Sequence, residues 1–162
     1  MTVSPDKIMA HVEPAWRAKA NYAAYVQIND GNSEYESSYT HEQLALQKLE
    51  DGKFIVCCIP FLIYDVNLGD EISLEGVNIK KLVDGNHYGF RLYLGDGRID
   101  ASFLDDVIKS LIESGACVER SVDARLLSVD VDNERSARRL AGTLARWAEQ
   151  GLIVEYETIR TA

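Results

Sequence analysis

The residues that first invite a chemical reading are Cys57 and Cys58, adjacent in the run Phe54-Ile55-Val56-Cys57-Cys58-Ile59, which stops at Pro60. Two neighbouring thiols suggest a nucleophile or a pair of metal ligands. Side chains of successive strand residues point to opposite faces, so the pair cannot chelate one ion in regular β geometry. No CxxC pattern accompanies them and no histidine lies near them in sequence. Free cysteine in apolar surroundings packs as a small hydrophobe, whereas a reactive thiol needs an electropositive pocket that lowers its pKa. Both are expected to be structural.

His11, His41 and His87 stand far apart, with no HxH, HxxxH or HExxH spacing. Zinc chemistry has no support, and no metal or other cofactor is expected. GxGxxG, GxxxxGK[ST] and GxSxG are absent, and Gly95-Asp96-Gly97 reads as a turn too short to cradle phosphate. The segment after Pro60 carries Tyr64, Asp65 and Asp70. A phenol and two carboxylates could hold a cation or exchange protons. The simpler expectation is that Tyr64 packs and the two aspartates accept hydrogen bonds from turn amides; as a site they would be a contact patch for a partner or ligand. A second candidate patch is Arg135, Arg139 and Arg146, which fall with Gly142 on one helical stripe. That stripe is either solvated, paired with Asp105 and Asp106, or a contact for an acidic partner.

Composition narrows the function classes. The formal net charge is −9 over 162 residues. The excess is spread: residues 1–81 hold 12 acids and 7 bases, and residues 82–162 hold 14 and 10. Nucleic acid and anionic membranes require clustered Lys and Arg, so neither is expected as a partner. An acidic surface that docks a basic protein fits the charge. Three cysteines, two of them adjacent, do not form a secreted disulfide framework. Met1–Asp6 has neither the basic nor the apolar region of a signal peptide, and no apolar stretch approaches the ~18 residues of a membrane span. A cytoplasmic location is expected.

The elements that would position these residues read in two parts. Residues 5–20 form a short helix or irregular lead-in, broken by Pro14, and Tyr22–Ile28 is a strand. A polar connection follows around Asp30–Ser38. Gln43–Leu49 and Phe54–Ile59 are strands joined by a turn at Gly52, and Pro60 ends the second because it cannot donate to a ladder. Apolar side chains on both faces of Phe54–Ile59 predict a strand buried on both sides. Glu71–Glu75, Asn78–Val83 and His87–Leu94 complete a series of short strands with no helix between them, which predicts a small barrel or strongly bent sheet.

After Gly95 the period changes. Leu104, Val107, Ile108, Leu111 and Ile112 recur at helical spacing behind Asp100, a candidate N-cap, and Gly115 stops that helix. Ala116–Val122 and Arg125–Asp132 are strands. Asn133 caps a second helix that runs to Gln150, and Leu152–Glu157 is the last strand. The order from His87 is β-α-β-β-α-β, the ferredoxin-like arrangement. The expected fold is therefore α+β, with residues 1–86 a β-barrel-like module and residues 87–162 a ferredoxin-like module packed on it. If Tyr88, Phe90 and Leu92 face the helices, the opposite face shows Arg91, Tyr93, Glu119, Ser121, Ser128, Asp130, Glu155 and Glu157. That acidic surface is a poor platform for stacking RNA bases.

The residues Pro14-Ala15-Trp16-Arg17, Ala20-Asn21-Tyr22, Glu42-Gln43-Leu44, Cys57-Cys58-Ile59-Pro60-Phe61, Tyr64-Asp65 and Leu68-Gly69-Asp70 resemble, in order and spacing, the bacterial family called domain of unknown function 4265. The resemblance runs from about Pro14 to near the C-terminus. It departs at Ala45, where the family pattern suggests tryptophan. The resemblance implies a small soluble bacterial protein and carries no catalytic residues. The expected function is a non-enzymatic protein-interaction module, of the immunity or antitoxin type, that inhibits a basic partner such as a toxin. The alternatives are a small-molecule-binding regulatory domain and a cryptic enzyme using Tyr64, Asp65 or a cysteine. Exposed edge strands in either module would allow a homodimer.

Overall fold

The computed structural model describes residues 4–28, 39–95, 100–153 and 155–158. The expected loop around Asp30–Ser38 and the Asp96-Gly97 part of the glycine turn lie outside the described residues. The fold is α+β, with two sheets and two helices.

The first sheet is mixed and has six strands. They are β1 (Ile8–Ala10), β2 (Tyr22–Gln27), β3 (His41–Lys48), β4 (Lys53–Val56), β5 (Glu71–Glu75) and β6 (Asn78–Val83). β3 organises it. Along one edge β2 runs antiparallel, from Tyr22 opposite Leu46 to Gln27 opposite His41. Along the other edge lie β1, parallel, with Ile8 opposite His41, and then β4, antiparallel, with Val56 opposite Leu46. β5 and β6 continue outward from β4 as antiparallel neighbours. Met9, Val26, Leu44, Leu46, Phe54, Val56 and Ile72 form the core of this half, joined by Phe61, Leu62, Ile63 and Val66.

Two expectations for this half are corrected. The lead-in, read as a short helix or irregular chain, has a 3-10 turn at Pro5–Lys7 and is irregular over residues 11–20, but between them runs β1, a strand too short to show a period. The sheet, in turn, does not close into a barrel. Among the described residues β2 and β6 share no ladder; the Gln27 amide donates to the Val77 carbonyl at 2.8 Å and the pairing goes no further. β6 is almost wholly exposed and carries Lys80 and Lys81, the kind of residue that keeps an edge open.

The apolar run is also shorter as a strand than its composition suggests. β4 ends at Val56, and Cys57–Asp70 is an irregular buried crossover. Cys57 and Cys58 are both fully buried, as expected of structural thiols. Gly69 and Gly85 allow the crossover to land. Gly69 has φ +88°, and a side chain at Gly85 would meet the Gly69 carbonyl oxygen at 2.4 Å.

The second sheet is antiparallel. Its central strands are β7 (Tyr88–Tyr93) and β9 (Leu126–Val131), flanked by β8 (Cys117–Arg120) along β9 and β10 (Glu155–Thr158) along β7, giving the order β10-β7-β9-β8. α1 (Ala101–Glu113) and α2 (Glu134–Glu149) cover one face. Phe90, Leu92, Leu127, Val129 and Val131 meet Leu104, Val107, Leu111, Ala137, Leu140 and Leu144 there. Both expected N-caps are in place: the Asp100 carboxylate accepts from the Ser102 amide and the Asn133 side-chain oxygen from the Ser136 amide, each at 2.8 Å.

The alternation read from β7, β8 and β9 is right, but its destination is not solvent. Arg91, Glu119, Ser121, Ser128 and Asp130 are buried. Their face of the second sheet packs against the Cys57–Asp70 crossover, so the polar residues lie in the middle of the molecule.

Candidate functional site

Three groupings of side chains have chemistry worth testing: a buried charged cluster, a half-buried His–Asp pair, and the surface around Tyr64 and Asp65.

The buried cluster centres on His11, one residue past β1. Its side chain is 1% exposed and lies between Glu42 of β3 and Glu119 of β8. Nε2 is 2.6 Å from a Glu42 oxygen and Nδ1 is 2.6 Å from a Glu119 oxygen. An ionised carboxylate only accepts hydrogen bonds, so both ring nitrogens must carry protons and the ring is an imidazolium. Burial by itself would strip that proton. The neighbouring Cys58 and the hydrogen bonds to Glu119 and Glu42 outweigh burial and push the His11 pKa well above its ordinary value. For Glu42, burial works towards protonation, but His11 and the amides of Phe61 and Leu62 hold the carboxylate below the usual range. The ring also stacks on Phe61, with centroids 4.6 Å apart.

The carboxylates reach further than the histidine. Glu42 accepts from three consecutive amides, Phe61 at 2.7 Å, Leu62 at 2.7 Å and Ile63 at 3.1 Å. Glu119 accepts from the amides of Ala15 and Ile59. From the opposite side Arg91 donates to the carbonyls of Phe61 at 2.7 Å and Ile63 at 2.8 Å, and Ser128 donates to the Ile59 carbonyl at 2.8 Å. The segment Ile59–Ile63 thus makes its backbone hydrogen bonds to buried side chains instead of a neighbouring strand, which is how an irregular segment can be buried at all. Two cations, His11 and Arg91, balance two anions, Glu42 and Glu119.

His87, on the way into β7, lies 2.7 Å from Asp130 of β9, with 17% of its side chain exposed. The hydrogen bond to Asp130 pushes the His87 pKa up against burial, and burial pushes Asp130 up to about 6. Trp16 meets the His87 ring edge to face at 5.6 Å. Cys117 of β8 stands directly opposite Asp130 in the ladder and is exposed; partial burial of its thiol and the acids Asp130, Asp132 and Glu119 raise its pKa, the reverse of what an activated thiolate needs.

The expected site residues separate. Asp70 is a turn residue, as its simpler reading has it. It is fully buried, accepts from the amides of Asn67 at 2.8 Å and Gly85 at 2.7 Å, and lies 3.3 Å from Lys81. Tyr64 and Asp65 remain together at the surface. They line a pocket of about 70 Å³ with Leu62, Ile63, Val26 and Gln27 of β2, and Asn78 and Ile79 of β6. The Arg91 guanidinium sits 5.5 Å from the Tyr64 ring centre. Asp65 is exposed and has no ion pair among the described residues.

Arg135, Arg139 and Arg146 are exposed on α2, and none pairs with Asp105 or Asp106 among the described residues. The three lie along one stripe of that helix. Arg139 lines a groove of about 110 Å³ between α1 and α2, with Ser110, Ser114, Ser136, Thr143 and Trp147. Arg135 borders a shallow depression with Glu134 and Arg138, and Arg146 donates to Thr143 at 3.2 Å.

Sequence reasoning missed the His11, Glu42, Glu119, Arg91 and Ser128 cluster. One signal was available. Glu42 shares strand parity with Leu44 and Leu46, both core residues, so its carboxylate had to point inward.

Comparison with known proteins adds a family and a fold. The family described as Domain of unknown function (DUF4265) matches residues 42–155. Glu42, Arg91, Glu119 and Ser128 lie inside that stretch, and His11 precedes it. None of the curated proteins matches. A crystal structure of a hypothetical protein from Neisseria gonorrhoeae is similar at a TM-score of 0.60 and 19% identity, covering 83% of this chain and 91% of that one. At that identity the likeness is one of fold.

Proposed function

The chain belongs to the DUF4265 family; from that premise and from the geometry above, we propose that it is a non-enzymatic binding module that docks a basic protein partner, of the kind that inhibits a toxin. The observation that carries this reading is the destination of the acid–base groups. His11, Glu42 and Glu119 are sealed in the interior and bound to one another and to the backbone of Ile59–Ile63. Their chemistry serves to fix a loop. That loop runs straight into Tyr64 and Asp65 at the surface, so the tip is held rigid before any partner arrives, and preorganisation of this kind reduces the entropy cost of association. An exposed carboxylate on a chain of net charge −9 favours a cationic partner. The strand order β10-β7-β9-β8 with both helices on one face supports reading residues 87–162 as a ferredoxin-like support for this loop.

The test compares wild type with the Tyr64→Ala, Asp65→Lys double variant, in pull-downs from the native host and in co-expression with toxins encoded nearby. A basic partner captured by wild type and lost by the variant, together with protection from its toxicity, is the expected result. No stable partner and no protection would sink the reading.

A second reading rests on the groove beside Arg139. One guanidinium with several hydroxyls above Leu111, Leu140 and Trp147 suits a small anion with an apolar part. The groove is smaller than the roughly 300–1,000 Å³ of sites that enclose a drug-sized molecule. A thermal-shift screen with amino acids and nucleotides separates the two readings, because only this one expects a rise of several degrees with a single ligand class.

A further inference from the structure

We propose that the pocket at the seam between β2 and β6 is a receptor for a single cationic side-chain head group, a guanidinium or an ammonium, presented by the partner. This deepens the interaction reading and rests on it.

The pocket exists because the first sheet stays open. β2 and β6 touch through the Gln27 amide and the Val77 carbonyl and do not pair further. Leu62–Asp65 of the crossover borders the gap, so three separate parts of the chain meet around one cavity. The lining supplies what a cation needs: the Asp65 carboxylate for charge, the Tyr64 ring, and side-chain amides from Gln27 and Asn78 whose oxygens can accept hydrogen bonds. The volume of about 70 Å³ admits a head group and excludes a nucleotide or sugar. Asp65 has no ion pair among the described residues, so its charge is available. Behind the lining lies the Arg91 guanidinium, 5.5 Å from the Tyr64 ring centre. It is buried and directed at the Phe61 and Ile63 carbonyls, which places it inside the wall. Glu42 fixes the Leu62 and Ile63 amides on the other side of that wall. The rim is thus set to its shape from within, in the manner of a preorganised recognition site.

The test is an NMR titration of the isotope-labelled full chain with a short neutral-flanked peptide carrying one arginine. The same peptide with citrulline, which keeps the shape and removes the charge, is the control. A lysine and acetyl-lysine pair repeats the comparison for the ammonium. The expected result is saturable shifts confined to Gln27, Tyr64, Asp65, Asn78 and their neighbours with the charged peptides and not with the neutral ones. Asp65→Asn should weaken that binding about ten-fold while leaving the rest of the spectrum unchanged. Equal shifts with arginine and citrulline, or shifts spread over the acidic surface, or an Asp65→Asn variant that binds as well as wild type, would each overturn the proposal. A partner captured by pull-down without any of these pocket shifts would leave the interaction reading standing and place its contact elsewhere.

Discussion

At the scale of single residues, the decisive feature is an imidazolium held between two carboxylates where water does not reach. Its contribution has a definite dependence on pH. The folded state holds the His11 proton more tightly than the unfolded chain does. The associated stability is therefore complete below the ordinary histidine pKa, about 6.5, and is lost as pH rises through the elevated folded value. Urea unfolding of wild type should weaken into the alkaline range. His11→Phe, which keeps a ring against Phe61, should start less stable and lack that alkaline slope; equal slopes in both proteins would show that His11 does not titrate in the fold. The carboxylates should matter as much. Glu42→Gln removes the counter-charge to His11 and sets an amide NH2 against donors in either orientation, the Leu62 and Ile63 amides at one oxygen position or the Phe61 amide and His11 at the other. A loss of about 3–5 kcal/mol is expected, as for a buried pair deprived of one partner. The same denaturant series would measure it, and a loss under about 1 kcal/mol would mean that the Ile59–Ile63 clamp is not needed for stability.

At the scale of elements, local signals and long-range contacts divided the outcome. α1 and α2 were legible because an apolar stripe of period 3.6 and a capping residue both lie inside a window of some fifteen residues. Asn133→Ala should lower stability by about 1 kcal/mol through loss of the bond to the Ser136 amide. Gly85→Ala tests a contact of the other type, since its new methyl carbon would collide with the Gly69 carbonyl and lift the landing of the crossover. We expect about 2 kcal/mol or more, measured by thermal unfolding, from a position that looks like an ordinary turn glycine. β1 was illegible because three residues carry no period, and its place was set by its partner β3. Cys57–Ile59 was misread as strand for a related reason. Apolar composition reports burial, and burial alone does not say whether the backbone bonds to another strand, as the Cys57 amide still does at Ala45, or to buried side chains, as Ile59 does at Glu119 and Ser128.

At the scale of the whole molecule, the two sheets are joined face to face through a polar layer. The interface therefore treats its two sides unequally. Residues 87–162 present Arg91, Glu119, Ser128 and Asp130 to it, groups that water can solvate, and keep their helix–sheet core to themselves. Residues 1–86 contribute the irregular segment Ile59–Ile63, whose backbone loses its hydrogen bonds to Glu119, Ser128 and Arg91 if the other half is removed. Expressed alone, 87–162 should retain helical circular dichroism and a weakened cooperative transition, and 1–86 should not; the reverse order of stability would contradict this account of the layer. The sequence by itself determined the α+β class, the two capped helices, the short strands other than β1, the faces of β7, β8 and β9, and the burial of the adjacent cysteines. Each of these follows from periodicity or composition within a short stretch. Only the tertiary structure decided that the polar face of the second sheet is interior, that the first sheet stays open at β2 and β6, and that His11 meets Glu42 and Glu119. Those facts depend on residues 31 and 108 positions apart along the chain. A charged side chain reads as solvent-facing until the partners that neutralise it are brought alongside, and folding alone does that.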